Sequence, residues 1–254
     1  MLRICTDNCS MDKETFFRKR IARRFGQMLT HDQAEAGSLL PFFAAIRSKG
    51  WNAAVFGGAI RDIVVPDKMV RPRDVDVVVD VPDEDSLFDT FKQYVKRRTR
   101  FGGLHIIYGG WPIDIWPLHR TWSFQHSSLS PTFENLPKTT FLNVEAIAVE
   151  VWPSDLKHRR VFEEKFFDSI SQRVLEINNE VNPFPELSVV RALVMASRID
   201  FAIGPNLCRY IQTYGSNLSV SDIDEIQVGH YQHLQASSAE LWNKIAKICQ
   251  QNGA

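Results

Sequence analysis

The sequence predicts an α+β fold: a mixed sheet with helices over residues 38–167, followed by an all-helical region over 168–254. Three observations carry this. Short β-rich runs alternate with amphipathic stretches as far as about residue 167. Two of those runs flank Gly109-Gly110, a pair that suits a tight hairpin turn. From about Asp168 the apolar residues recur only at helical spacing, in "SISQRVLEI", "LSVVRALVMASRI", "NLCRYIQTYG", "SDIDEIQVGHYQHL" and "SSAELWNKIAKICQQ".

In chain order, residues 1–12 read as a loose tail. Lys13–Leu29 reads as a helix with a basic face of Arg18, Lys19, Arg20, Arg23 and Arg24. Such a face is ordinarily solvated, and its sharper use is phosphate-backbone contact. Residues 1–37 are thus a basic helical extension. A second helix spans Gln33–Gly50, with Pro41 marking a boundary or kink and Gly50 a C-cap. "WNAAVFGG" is a strand entering a turn, and "AIRDIVV" starts a helix there. Asp74–Val81 is a strand, Glu84–Arg98 a helix, and Leu104–Arg120 a hairpin. Thr140–Trp152 is ordered as either helix or strand.

Composition narrows the function classes. Thirty basic and thirty acidic residues in 254 give a net charge of +0, so global charge announces no polyanionic partner. Four cysteines without a CxxC pair read as reduced thiols rather than a zinc site. The amino terminus lacks the apolar core of a secretory signal, and no charge-free stretch has membrane-spanning length. A cytoplasmic protein without membrane contact is expected.

"GGAIRDIVVPDKMVRPRDVDVVVD" (Gly57–Asp80) holds the chemistry. Asp74 and Asp76 are two residues apart on a strand, so they share a face while Val75 and Val77 point into the core. Two close carboxylates repel, and a divalent cation removes that penalty. Magnesium prefers oxygen ligands and keeps substrate phosphates in its shell. Two such ions can activate a hydroxyl and stabilise leaving pyrophosphate. Glycines at 57 and 58, between strand and helix, let backbone approach a phosphate. Arg61 is expected to reach the same phosphates, and Asp62 to orient Arg61 or contact the sugar. Asp114 is the expected third carboxylate, on the second hairpin strand. His119-Arg120 is a further candidate phosphate contact, with Arg120 otherwise pairing with a carboxylate. His105 reads as structural, since magnesium would not choose it. Trp111, Trp116 and Trp122 read as core or interface residues before base-stacking ones. Lys92–Arg100 reads as a solvated helix end that could hold RNA backbone, and Asp67 has no assigned role.

The ordered set "GGAIRD…RDVDVVVD" resembles the head domain of class II CCA-adding enzymes and bacterial poly(A) polymerases, within the DNA polymerase β-like nucleotidyltransferases. "RFGGLHIIYGGWPIDIWPLHR" (Arg100–Arg120) is similar to the family's next hairpin. "FLNVEAIAV" (Phe141–Val149) resembles its FTINALA segment, and "FPELSVVRALVMASRIDFAI" (Phe184–Ile203) its neck helix. The likeness covers about residues 38–212. It implies a polymerase β-like head followed by a helical neck. It also implies that Asp74 and Asp76 bind the two Mg²⁺, that Asp114 is the third carboxylate, and that Gly57, Gly58 and Arg61 belong to the nucleotide-phosphate site.

The departures shape the expected function. The family's neck motif EDxxR pairs with the incoming base, and its Asp and Arg fall at Pro185 and Ser188, which cannot make that pairing. Glu145 replaces the family's Asn. About fifty residues follow the neck helix, so the family's body and tail are expected to be absent or much reduced. The expected reaction is Mg²⁺-dependent transfer of a nucleoside monophosphate from an NTP to an acceptor hydroxyl, an RNA 3′ end by resemblance, without the standard CCA template. Two rivals stand beside it: transfer to a protein or small molecule, as in toxin or defence activities, and a non-catalytic nucleotide-binding or partner module. The pattern sets neither the NTP nor the oligomeric state.

Overall fold

A computed structural model describes residues 7–30, 37–66, 70–99, 101–153 and 158–250, with side chains from Lys13 onward. Asp67 and Arg100 lie outside the described residues. The chain divides into two compact units. One runs to Thr140 and takes in Val144–Ser171; the other comprises Phe141–Asn143 and the chain from Gln172.

In the first unit, α1 (Asp7–Thr30) begins inside the stretch read as a loose tail. Phe17, Ile21, Phe25 and Met28 form its buried stripe, so the extension is part of the core. Its basic face is not wholly solvated. Arg24 is buried and donates to the carbonyls of Ile63 and Pro66, and Arg20 also donates to Pro66. α2 (Leu40–Ser48) carries Pro41 in its first turn, where a missing N–H does no harm, and Gly50 follows its end at φ 75°. Then come β1 (Asn52–Phe56), α3 (Gly58–Val64), β2 (Val75–Asp80) and α4 (Glu84–Phe91). Arg20 and Arg24 therefore meet the carbonyl end of α3, where cations are favoured.

The helix expected to continue to Arg98 stops at Phe91. After a 3₁₀ turn the chain becomes β3 (Val95–Arg98), an edge strand held by backbone bonds to β4 (Leu104–Tyr108). Pairing with the following strand overrides the helical spacing here. β4 joins β5 (Trp111–Pro117) through Gly109 and Gly110, at φ 53° and 81°, the two positive values a two-residue hairpin turn needs. α5 (Trp122–Gln125), β6 (Ile147–Glu150), β7 (Val161–Glu163) and α6 (Phe166–Gln172) complete the unit. Thr140–Trp152 thus resolves into a 3₁₀ turn and a strand.

The seven strands run in the order β3-β4-β5-β2-β1-β6-β7. β2 and β5 are parallel and the other pairs antiparallel. One face carries Val75, Val77, Val79, Ile113, Ile115, Leu104 and Ile106 into the main core with α1 and α2. The opposite face packs Ala54, Val78 and Ala148 against Leu118, Phe124 and Leu136. Asp76, Asp114 and His105 alternate onto that second face and stay partly exposed.

The second unit contains β8 (Val174–Leu175), α7 (Pro185–Ile199), β9 (Ala202–Ile203), α8 (Pro205–Gly215), α9 (Val220–Tyr231) and α10 (Ser238–Gln250). It is helical apart from the short parallel pair β8–β9. Arg173 and Asp200 take left-handed conformations (φ 56° and 54°) that stop the preceding helices and free the chain for that pair. Glu176 accepts from the N–H groups of Asn206 and Leu207, satisfying the start of α8 with a carboxylate. Val189, Leu193, Leu207, Ile211, Ile223, Leu241 and Ile245 form its buried interior. No described helix is long and apolar enough to cross a membrane.

Candidate active site

Strand register brings the expected carboxylates to one place. Asp76 of β2 lies opposite Asp114 of β5, and Phe56 of β1 lies opposite Asp76 on its other side. Residues opposite one another share a face, with neighbouring strands about 4.8 Å apart. Asp74 immediately precedes β2, two residues from Asp76. Gly57 follows Phe56 at the end of β1, so the glycine turn and the carboxylates stand at one end of the sheet.

Two of the carboxylates are held by neighbouring side chains. Arg73 donates to Asp74 Oδ2 through Nε and Nη2, at 3.0 and 2.7 Å. Asp114 Oδ1 stands 2.7 Å from His105 Nδ1, with both side chains partly exposed. His105 is therefore at the site, a placement the sequence reading missed. The hairpin already contains the signal: a two-residue turn at 109–110 pairs 108 with 111 and, counting back, 105 with 114.

Arg61 has a different place from the one expected. It is 4% exposed. Its Nε donates to Asp62 Oδ1 at 2.8 Å and its Nη1 to Glu145 Oε1 at 2.6 Å. Burial opposes its charge, but the two carboxylates outweigh that and hold the pKa above the ordinary arginine value. The guanidinium ties α3 to the turn that carries Glu145, and this geometry does not support the expected phosphate contact. Asp62 orients Arg61, as one of its two expected roles required. Glu145, at the position of the family's Asn, is the other half of the clamp.

Gly57 sits at φ 66°, ψ −123°, a conformation essentially reserved for glycine. Its N–H donates to Ile147 O at 2.9 Å, which fixes the turn to β6. A Cβ on Gly58 would stand 3.3 Å from Arg61 Nη2, so the second glycine makes room for the buried guanidinium. Arg120 Nε stands 2.6 Å from Glu84 Oε1, off the line of a hydrogen bond, so the contact is an ion pair that leaves a buried N–H unsatisfied. Trp111 is fully buried and donates to Gly37 O, a core residue. Trp116 donates to Thr121 Oγ1, and Trp122 stacks on His126.

The donor set fits magnesium in kind: three carboxylates, hard oxygen ligands, at the same end of adjacent strands. Among the described residues no group of three or more His, Cys, Asp or Glu side chains is converged as a metal site. Arg73 pairs with Asp74, and His105 is hydrogen-bonded to Asp114.

No family model and no curated protein matches the sequence. Solved structures do match. A CCA-adding enzyme in complex with CTP aligns over 91% of this chain and 54% of its own, at 14% identity and a TM-score of 0.61. The Thermotoga maritima CCA-adding enzyme complexed with tRNA aligns over 91% and 53%, at 14% identity and 0.59. A tRNA nucleotidyltransferase with a primer tRNA and an incoming ATP analogue aligns over 81% and 60%, at 16% identity and 0.57. The fold is that of the CCA-adding enzymes. The chain spans about half to three fifths of the length of these structures. In chain order, the seven-stranded unit is followed by the helical one.

Proposed function

We propose that this protein is a Mg²⁺-dependent nucleotidyltransferase that moves a nucleoside monophosphate from an NTP to the 3′ hydroxyl of an RNA, releasing pyrophosphate. The observation that carries the reading is the register of Asp76 beside Asp114, with Asp74 two residues upstream. Two aspartates side by side on inner strands, with a third just upstream, repel one another, and a divalent cation would relieve that repulsion. The CCA-adding fold and the partners named in the tRNA and NTP complexes support the substrate class.

In the reaction the acceptor oxygen attacks the α-phosphorus as the bond to pyrophosphate breaks. Asp74 and Asp76 would hold magnesium, which when bound supplies Lewis-acid charge for the phosphates and lowers the pKa of the acceptor hydroxyl. Asp114, hydrogen-bonded to His105 through one oxygen, has a second oxygen for the acceptor hydroxyl and its proton. Gly57 sets the backbone path beside the triphosphate. Asp74, now paired with Arg73, would have to exchange that partner for the cation. Positioning and charge provide most of the rate. Head and neck assignments at 38–167 and 168–254 belong to the same reading.

The nucleotide is not chosen by the CCA template in this reading. Pro185 begins α7, and the Ser188 hydroxyl donates to Asn182 Oδ1 at 3.0 Å. The test is a transfer assay with each of four α-labelled NTPs, Mg²⁺ and total cellular RNA and protein, beside Asp74→Asn/Asp76→Asn. Label on RNA with wild type alone is the expected result. Label on protein would replace RNA as acceptor. No label from wild type, with the variant equally folded, would refute the transferase.

A further inference from the structure

The edge strand β3 carries a feature that the reaction above does not use. Val95 pairs with Ile106 and Arg97 with His105, so two steps along β3 match one along β4. Lys96 is the extra residue of a β-bulge, a device that re-aims side chains at sheet edges and beside active sites.

The bulge reverses which side chains face which way. Val95 packs against the main core, so in a regular strand Arg97 would face the core side and Arg98 the other. With the extra residue, Arg98 pairs with Leu104 on the core side and lies over the Phe88 ring, 4.3 Å from guanidinium carbon to centroid. Arg97 moves to the carboxylate face. There it continues one transverse row: Arg97, His105, Asp114, Asp76, Phe56. At the ordinary strand spacing its Cα lies about 10 Å from that of Asp114. Arg97 is exposed and makes no hydrogen bond or ion pair among the described residues.

The row has a direction. Gly57 follows Phe56 at one end, so the triphosphate belongs to the β1 side. The acceptor hydroxyl at Asp114 must come from the other side, across β4 and β3. In a nucleic-acid 3′ end, the phosphodiester nearest that hydroxyl lies one sugar away, within the span that separates Asp114 from Arg97. We propose that Arg97, turned onto this face by the bulge at Lys96, holds a phosphodiester of the acceptor, and that the acceptor strand enters over the β3 edge. This rests on the transferase reading above. Protection of the edge from another strand would explain the charge and the bulge, but not the need for a free guanidinium on the carboxylate face.

The experiment is fluorescence anisotropy with a short single-stranded oligoribonucleotide bearing a free 3′ hydroxyl, titrated in Mg²⁺ at several salt concentrations. Arg97→Ala should weaken binding about tenfold at low salt and lower the salt slope by about 0.7, the loss of one phosphate contact. Arg97→Lys should retain the slope. Arg98→Ala removes the same charge from the opposite face and should stay within about twofold, with folding of each variant checked by circular dichroism. Equal losses for Arg97→Ala and Arg98→Ala would mean general attraction and overturn the assignment. No binding by wild type would overturn it in favour of a protein or small-molecule acceptor. Mg·ATP binding, measured in parallel, should be unchanged in Arg97→Ala. Its absence in wild type would refute the transferase reading and this assignment together. ATP binding with no RNA loss in Arg97→Ala would refute this assignment alone.

Discussion

Replacing Glu145 by alanine leaves the buried Arg61 guanidinium with one of the two carboxylates that clamp it. Breaking a buried ion pair outright costs about 3–5 kcal/mol, because an uncompensated charge stays behind. Here Asp62 remains, so the nearer comparison is one hydrogen bond to a charged group, about 1.5–3 kcal/mol. Arg61 is 4% exposed and cannot turn to water without opening the turn, which favours the upper half, about 2–3 kcal/mol. Glu145→Gln keeps an acceptor and loses only the charge, so it should lose about half as much. Urea unfolding followed by tryptophan fluorescence should show the alanine variant's midpoint lower by about 1 M, at an ordinary slope of about 2 kcal/mol per M. Arg61→Lys should not escape, since an ammonium cannot span both carboxylates with the same fork. A loss below about 0.5 kcal/mol for Glu145→Ala would refute the clamp. It would return Arg61 to the nucleotide phosphates, because a guanidinium indifferent to Glu145 has another partner.

Gly57→Ala should destabilise by about 1–3 kcal/mol in the same assay and depress nucleotide binding, through backbone strain rather than collision, since a Cβ there meets its nearest atom at 3.7 Å. A variant as stable as wild type would mean that the turn relaxes to negative φ. Trp111→Ala removes a fully buried indole and its bond to Gly37 O, and should cost about 3–5 kcal/mol by denaturant midpoint; a loss under about 1 kcal/mol would contradict its core placement. Hydrogen bonds from Ser219, side chain first and then backbone, hold the Asp222 pKa below the usual aspartate value. A depressed carboxylate contributes stability that is complete above its unfolded pKa and is lost as pH falls through the folded one. Ser219→Ala should therefore flatten the fall of melting temperature below about pH 4, and an unchanged acid limb would contradict the hold of Ser219 on Asp222.

The hairpin and the paired aspartates were legible because both depend on local periodicity. Alternation along β2 turns Asp76 away from Val75 and Val77, while Asp74, expected on the same strand, sits in the bend just before it, and the glycine pair fixes every register partner from Tyr108–Trp111 back to His105–Asp114. His105 was overlooked at the site although this count alone would have found it. The helix expected over Glu84–Arg98 failed at Val95 for a different reason. Its apolar spacing continues to suit a helix, but backbone bonds to β4 outweigh that preference. The clamp on Arg61 was not legible because its second partner, Glu145, lies 84 residues away in sequence.

By itself the sequence determined the pattern of a β-rich part followed by helices, the two-residue spacing of Asp74 and Asp76 at the head of a strand, and the glycines at the turn. These follow from side-chain periods of two and 3.6 and from backbone conformations only glycine adopts easily. Tertiary structure alone decided that β2 lies parallel to β5, which sets Asp114 beside Asp76. It also decided that Arg61 is buried in a clamp and that a bulge at Lys96 turns Arg97 to the carboxylate face. The first two depend on pairing between segments far apart in the chain and the third on the register of adjacent strands, and in each case register and burial are settled by the whole sheet and its core.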